Sequence, residues 1–81
     1  MADRNERKRS ILWFLAERGP MTAEQLSEVE GIPLDHARVY LGQYRKQGLV
    51  LKNHDLYTLS DRGYERLSYL TGVPQELLES L

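Results

Sequence analysis

The sequence contains no cysteine. That excludes disulfide staples and thiolate metal sites, and it agrees with a reducing cytoplasm. No apolar run approaches the roughly 18 residues that a membrane span needs, and the start of the chain is charged rather than signal-like. The chain is therefore expected to be soluble and cytoplasmic, without a membrane partner. Histidine is scarce: His36 and His54 stand in separate segments with no partner at metal-ligand spacing, so no metal site is expected. There is no glycine-rich phosphate loop and no nucleophile elbow, so neither a cofactor nor catalysis is expected. Excess positive charge is missing as well. The formal net charge is −1, whereas modules that bind nucleic acid are usually basic, because neutralising phosphates supplies most of their non-specific affinity.

What is present points to one folded domain spanning residues 1–81. An apolar fraction of 41% and a charged fraction of 28% sit close to globular averages. At 81 residues each buried side chain matters. The charge is also unevenly spread. Met21–Glu30 carries Glu24, Glu28 and Glu30 with no lysine or arginine, while Leu34–Lys52 carries Arg38, Arg45, Lys46 and Lys52 against Asp35 alone. The amino end adds Arg4, Arg7, Lys8 and Arg9 against Asp3 and Glu6.

Asp3 or Asn5 can cap a first helix running to about Arg18, where Gly19-Pro20 ends it. With Ile11 and Leu15 facing inward, 100° per residue puts Trp13 almost opposite them, so Trp13 needs cover from a folded-back carboxyl-terminal segment or from a second subunit. Thr22 followed by Gln25 is a capping box that opens a second helix, and Gly31 ends it. Pro33 and the restricted Ile32 prevent a continuous helix. A third helix then runs from Leu34 to Gly48, with Ala37, Leu41 and Tyr44 on one side and Asp35, Arg38, Val39, Gly42 and Lys46 on the other. Such a pair, with one helix half buried and half free, suits reading a DNA groove or gripping another protein.

The period then changes. Leu49–Lys52 and Leu56–Leu59 are too short for helices and flank the turn formers Asn53-His54-Asp55, which predicts a small hairpin. Ser60 can cap a fourth helix with Tyr64, Leu67 and Leu70 at helical spacing, stopped by Gly72. Pro74 opens a last short helix with Leu77, Leu78 and Leu81 available to pack. The expected order is α-α-α-β-β-α-α, a mainly α chain with a small β-hairpin (α+β).

Leu15-Ala16 followed by Gly19-Pro20 and Thr22-x-x-x-Leu26, then Leu41-x-x-Tyr44-Arg45-Lys46-Gln47-Gly48-Leu49-Val50, then Tyr57-Thr58-Leu59-Ser60-Asp61-Arg62-Gly63, resemble in order and spacing a winged helix-turn-helix domain. Domains of this kind occur in small bacterial and archaeal transcription regulators. The resemblance implies a helix-turn-helix at 22–48, a wing at 49–60 and carboxyl-terminal helices at 61–81. It implies sequence-specific binding of double-stranded DNA, with the third helix in the major groove and the wing on the flanking backbone or minor groove. The same domain also serves protein–protein contacts, which is the alternative here.

The resemblance places base contacts on Asp35, His36, Arg38, Val39 and Gln43. Arg38 is the best suited, because its fork matches the O6 and N7 acceptors of guanine; Gln43 suits adenine and Val39 a thymine methyl. Asp35 reads better as a cap. Arg45, Lys46 and Lys52 suit phosphates, although any single one of them is as well explained as a solvated surface charge. His54 can enter a minor groove or merely serve the turn. Thr22 can meet a phosphate at a helix start or merely cap it. Gly42, in mid-helix, costs on the order of 1 kcal/mol relative to alanine and fits close approach of a partner or no role at all. A homodimer is expected, with Trp13, Leu77, Leu78 and Leu81 at its interface. Most of the five tyrosines read as core residues with a hydroxyl at the rim.

Overall fold

The computed structural model describes residues 4–81. It is mainly helical with a two-stranded antiparallel hairpin, in the order α1 (Arg4–Arg18), α2 (Ala23–Glu30), α3 (Leu34–Lys46), β1 (Val50–Asn53), β2 (Leu56–Leu59), α4 (Asp61–Thr71) and α5 (Gln75–Glu79). Asp3, one of the two expected caps of the first helix, lies outside the described residues. The other, Asn5, is already inside the first turn of α1 and so does not stand ahead of it.

Helix α1 is the centre of the fold and packs against α2, α4, α5 and β2. Neighbours on several sides bury more of it than one stripe. Leu12 and Ala16 join Ile11 and Leu15 in the core, and Trp13 and Phe14 pack partly buried against it. Trp13 therefore has cover within its own chain, and its indole N–H donates to Glu17 Oε2 at 2.8 Å.

The capping box of α2 forms in both directions. Thr22 Oγ1 accepts from the Gln25 amide at 3.1 Å, and Gln25 Oε1 accepts from the Thr22 amide at 2.9 Å. Gly31 closes the helix in the left-handed conformation at φ 65°, a position where a side chain would be strained. At the start of α3 the expectation fails. Pro33 is the N-cap, no side chain caps the helix, and Asp35 lies exposed in the first turn. Pro33 cannot offer a side-chain acceptor, and Asp35 is too far into the helix to take its place. Asp35 still lies where a negative charge complements the helix dipole.

Val50 pairs with Leu59 and Asn53 with Leu56, so Asn53 belongs to β1 and the turn contracts to His54-Asp55, with His54 at φ 58°. Met21 bridges the outer edge of β2 through two hydrogen bonds with Tyr57, at 3.0 and 2.8 Å. The hairpin is fastened to α4 at one crowded point. Ser60 accepts from the Gly63 amide at 3.0 Å, and its hydroxyl donates to the carbonyl of Gly48. The Ser60 amide donates to the Leu49 carbonyl at 3.0 Å. A Cβ at Gly63 would lie 2.1 Å from that same carbonyl oxygen, so glycine is required there.

At the carboxyl end Leu78 is 1% exposed in the core of its own chain, whereas Leu77 and Leu81 are 58% and 54% exposed. Leu78 therefore does not belong to a surface between subunits: α5 packs on α1 and α4 and spends that side chain there. Among the described residues no helix is long and apolar enough to cross a membrane.

Candidate nucleic-acid interface

Helix α3 is divided lengthwise. Ala37, Leu41 and Tyr44 are buried, while Asp35, His36, Arg38, Val39, Gln43, Arg45 and Lys46 are exposed. The exposed half carries two strips. His36, Val39, Gln43 and Lys46 follow one another at three- and four-residue intervals, and Asp35, Arg38, Gly42 and Arg45 form the second.

The first strip lines a cleft of about 800 Å³ whose opposite wall is the start of α1. Asn5 and Lys8 from α1 and Tyr40, Tyr44 and Gln47 complete it. Lys8 Nζ donates to Gln47 Oε1 at 2.8 Å and lies 5.4 Å over the ring of Tyr44. Tyr44 in turn stacks on Tyr40 with ring centres 6.2 Å apart. Burial of its hydroxyl, helped by Tyr40 and Glu30, holds Tyr44 protonated well above the usual phenol range. Burial and then the charge of Arg66 lower the pKa of Lys8. The positive charges of Lys8 and Lys46, the amide donors and acceptors of Asn5, Gln43 and Gln47, and the apolar Val39 thus share one concave face.

The second strip turns toward α2. Arg38 Nη2 is 3.4 Å from Glu24 Oε1, and both side chains are more than half exposed. By contrast Arg7 Nη1 meets Glu30 Oε1 at 3.0 Å with the Glu30 side chain only 4% exposed, and Ser10 donates to the other Glu30 oxygen at 2.6 Å. Two of the three acids noted on α2 are therefore engaged, one loosely with α3 and one firmly with α1. A Cβ at Gly42 would meet nothing within 4 Å, so no packing inside the chain requires this glycine.

The remaining expected contacts lie elsewhere. Lys52 is on the hairpin with its ammonium 5.6 Å over the Tyr57 ring, and His54 is exposed in the turn. Thr22 is half-buried with its hydroxyl accepting the cap bond at the start of α2. The structure thus gathers His36, Val39, Gln43 and Lys46, sets Arg38 and Arg45 beside them, and leaves Thr22, Lys52 and His54 outside that cleft. Asn5, Lys8, Tyr40 and Gln47 are wall residues without a local signal in the sequence that marks them as such. Lys8 was visible as part of a basic amino end, but its partner Gln47 is 39 residues away and no local pattern joins them. Tyr69 also departs from the core reading of the tyrosines, being almost fully exposed on α4.

No buried side-chain nitrogen or oxygen among the described residues lacks a hydrogen-bond partner. Comparison with protein-family models, curated proteins and solved structures returns no match.

Proposed function

We propose that this chain is a winged helix-turn-helix module that binds double-stranded DNA in a sequence-specific way and regulates transcription, rather than an enzyme. The observation that carries the reading is the division of α3: one side is locked into the core, and the other exposes His36, Val39, Gln43 and Lys46 along one cleft. Inserted into a major groove, that side offers Gln43 to adenine and Val39 to a thymine methyl, with Lys46 at the backbone. Arg38 supplies guanine recognition from the neighbouring strip. Its contact with Glu24 is exposed and worth only about 0–1 kcal/mol, less than the roughly 1–3 kcal/mol of a good bidentate base contact, so guanine can displace it. The hairpin, with Lys52 and His54, lies along the flanking backbone or minor groove.

The module acts as a symmetric homodimer in this reading. One such domain buries only about 600–1,000 Å² on DNA, and pairing doubles the contact. The exposed Leu77 and Leu81 and the partly exposed Trp13 supply the pairing surface without Leu78. A monomer in sedimentation at high micromolar concentration removes the dimer.

Protein docking is the second reading. It is favoured by the outer face of the hairpin, where Leu51 and Leu56 are both exposed on the same side. Selection from a pool of random duplexes, followed by a salt titration, separates the two. DNA reading requires enrichment of a common site and affinity falling steeply with salt; no binding to any duplex at low salt ends it.

A further inference from the structure

Three basic residues that the DNA reading leaves unused, Lys8, Arg62 and Arg66, gather near Lys46. Lys8 of α1 is hydrogen-bonded to Gln47 at 2.8 Å. Arg62 of α4 lies against the next residue, since a Cβ at Gly48 would be 3.5 Å from both its Cδ and its Nη1. Arg66, one turn further along α4, shares a surface hollow with Arg62. Lys46 and Lys8 line the cleft on the other side of Gln47. Three helices therefore bring four cations around the end of α3.

Among the described residues, none of these four has a carboxylate within the 4.0 Å of an ion pair; the pairs formed are Arg7 with Glu30 and Arg38 with Glu24. Glu65 lines the hollow of Arg62 and Arg66, and Asp61 begins α4, but neither reaches them. Helix dipoles do not account for the cluster. Lys46 at the end of α3 is favoured by the dipole, but Arg62 stands in the first turn of α4, where a cation is disfavoured. The lowered pKa of Lys8, caused by burial and then by Arg66, agrees with Lys8 and Arg66 lying close enough to feel each other's charge.

We propose that Lys8, Lys46, Arg62 and Arg66 form an arc around Gln47-Gly48 that grips the phosphate backbone of the duplex beside the groove entered by α3. This rests on the duplex-binding reading and extends it to α1 and α4. A duplex fits better than an acidic protein surface because the arc is continuous with the cleft holding Gln43, Val39 and His36. A strand of evenly spaced phosphates borders any groove that those residues read.

The test is fluorescence anisotropy on a labelled random-sequence duplex pool over a range of salt, with the native chain and with Lys8→Gln, Arg66→Gln and Lys8→Arg. Thermal unfolding checks that each variant folds. Each neutralised contact is expected to reduce the slope of log affinity against log salt by about 0.9 and to weaken binding several-fold on every duplex alike, and Lys8→Arg is expected to retain both. Native binding to duplex with the slope unchanged in both glutamine variants overturns the arc and leaves the DNA reading standing. Native binding to polyglutamate and to no duplex overturns both and assigns the arc to an acidic protein.

Discussion

Gly63 and Gly42 are both helical glycines, and a single added methyl group means opposite things at the two. At Gly63 it would lie 2.1 Å from the Leu49 carbonyl oxygen and 2.8 Å from Leu59 Cδ2, whereas at Gly42 it would meet nothing within 4 Å. The first glycine belongs to the junction where α4, the hairpin and the end of α3 are fastened together. The second belongs to a surface that the fold leaves open. Among the described residues two ion pairs of α2 repeat the contrast, because Glu30 is enclosed between Arg7 and Ser10 while Glu24 and Arg38 meet in solvent. One region is closed by its own chain, and the other is left open to solvent.

The largest effect is expected from Gly63→Ala. The Leu49 carbonyl cannot retreat without loosening its bond from the Ser60 amide. The cost should reach or exceed the roughly 3 kcal/mol at the upper end of overpacking, a large part of a small domain's stability. Urea unfolding measures it, and a loss below about 1 kcal/mol would show that the junction yields. Arg7→Met comes next. It keeps the stem but leaves Glu30, 4% exposed, with Ser10 as its remaining partner in this cluster. An under-satisfied buried acceptor of this kind costs about 1–3 kcal/mol. Ser60→Ala removes the α4 cap and the bond to the Gly48 carbonyl together, for about 1–2 kcal/mol.

The closed region was the more legible in the sequence, because its signals are local. Thr22 with Gln25, Gly31, Ser60 and the change of period at Leu49 each act within a few residues, and the order of elements follows from them. A side chain whose fate depends on distant elements is not legible in this way. A single inward stripe puts Trp13 opposite the core, but α1 has neighbours on several sides. Three leucines around a five-residue helix define no period, so Leu78 could not be told from Leu77 and Leu81. Asp35 lost its cap role to a backbone detail, the placement of Pro33 at the N-cap. On the open surface the outward residues of α3 were legible from helical spacing, but the wall opposite them, Asn5 and Lys8, was not.

Gly42→Ala should move stability the other way. With open space around the Cβ, alanine is expected to stabilise α3 by about 1 kcal/mol, through helix propensity alone. The variant also sharpens the functional question. A methyl group between Arg38 and Arg45 would obstruct a backbone or helix that approaches α3 closely there. Higher stability with weaker duplex binding would assign the glycine to the interface; higher stability with unchanged binding would leave it without a role.

Arg38→Ala should have the smallest effect on the fold and a distinct effect on binding. The 3.4 Å contact with Glu24 is the longer of the two ion pairs, and both side chains are more than half exposed. Side-chain entropy and solvent screening oppose such a pair, so its removal should change unfolding free energy by no more than about 0.5 kcal/mol. Duplex affinity should nevertheless fall by about 1–3 kcal/mol, and the loss should concentrate at one guanine of the selected site instead of spreading over all sequences. Glu24→Gln separates the two roles of the arginine. It removes the competing carboxylate, so it should leave stability nearly unchanged while tightening binding to the selected duplex. If Arg38→Ala instead destabilises the fold as much as Arg7→Met does, the two ion pairs are energetically alike. The outer side of α3 would then be a structural surface, and the contrast between the closed and open regions would fail at the residue on which base reading most depends.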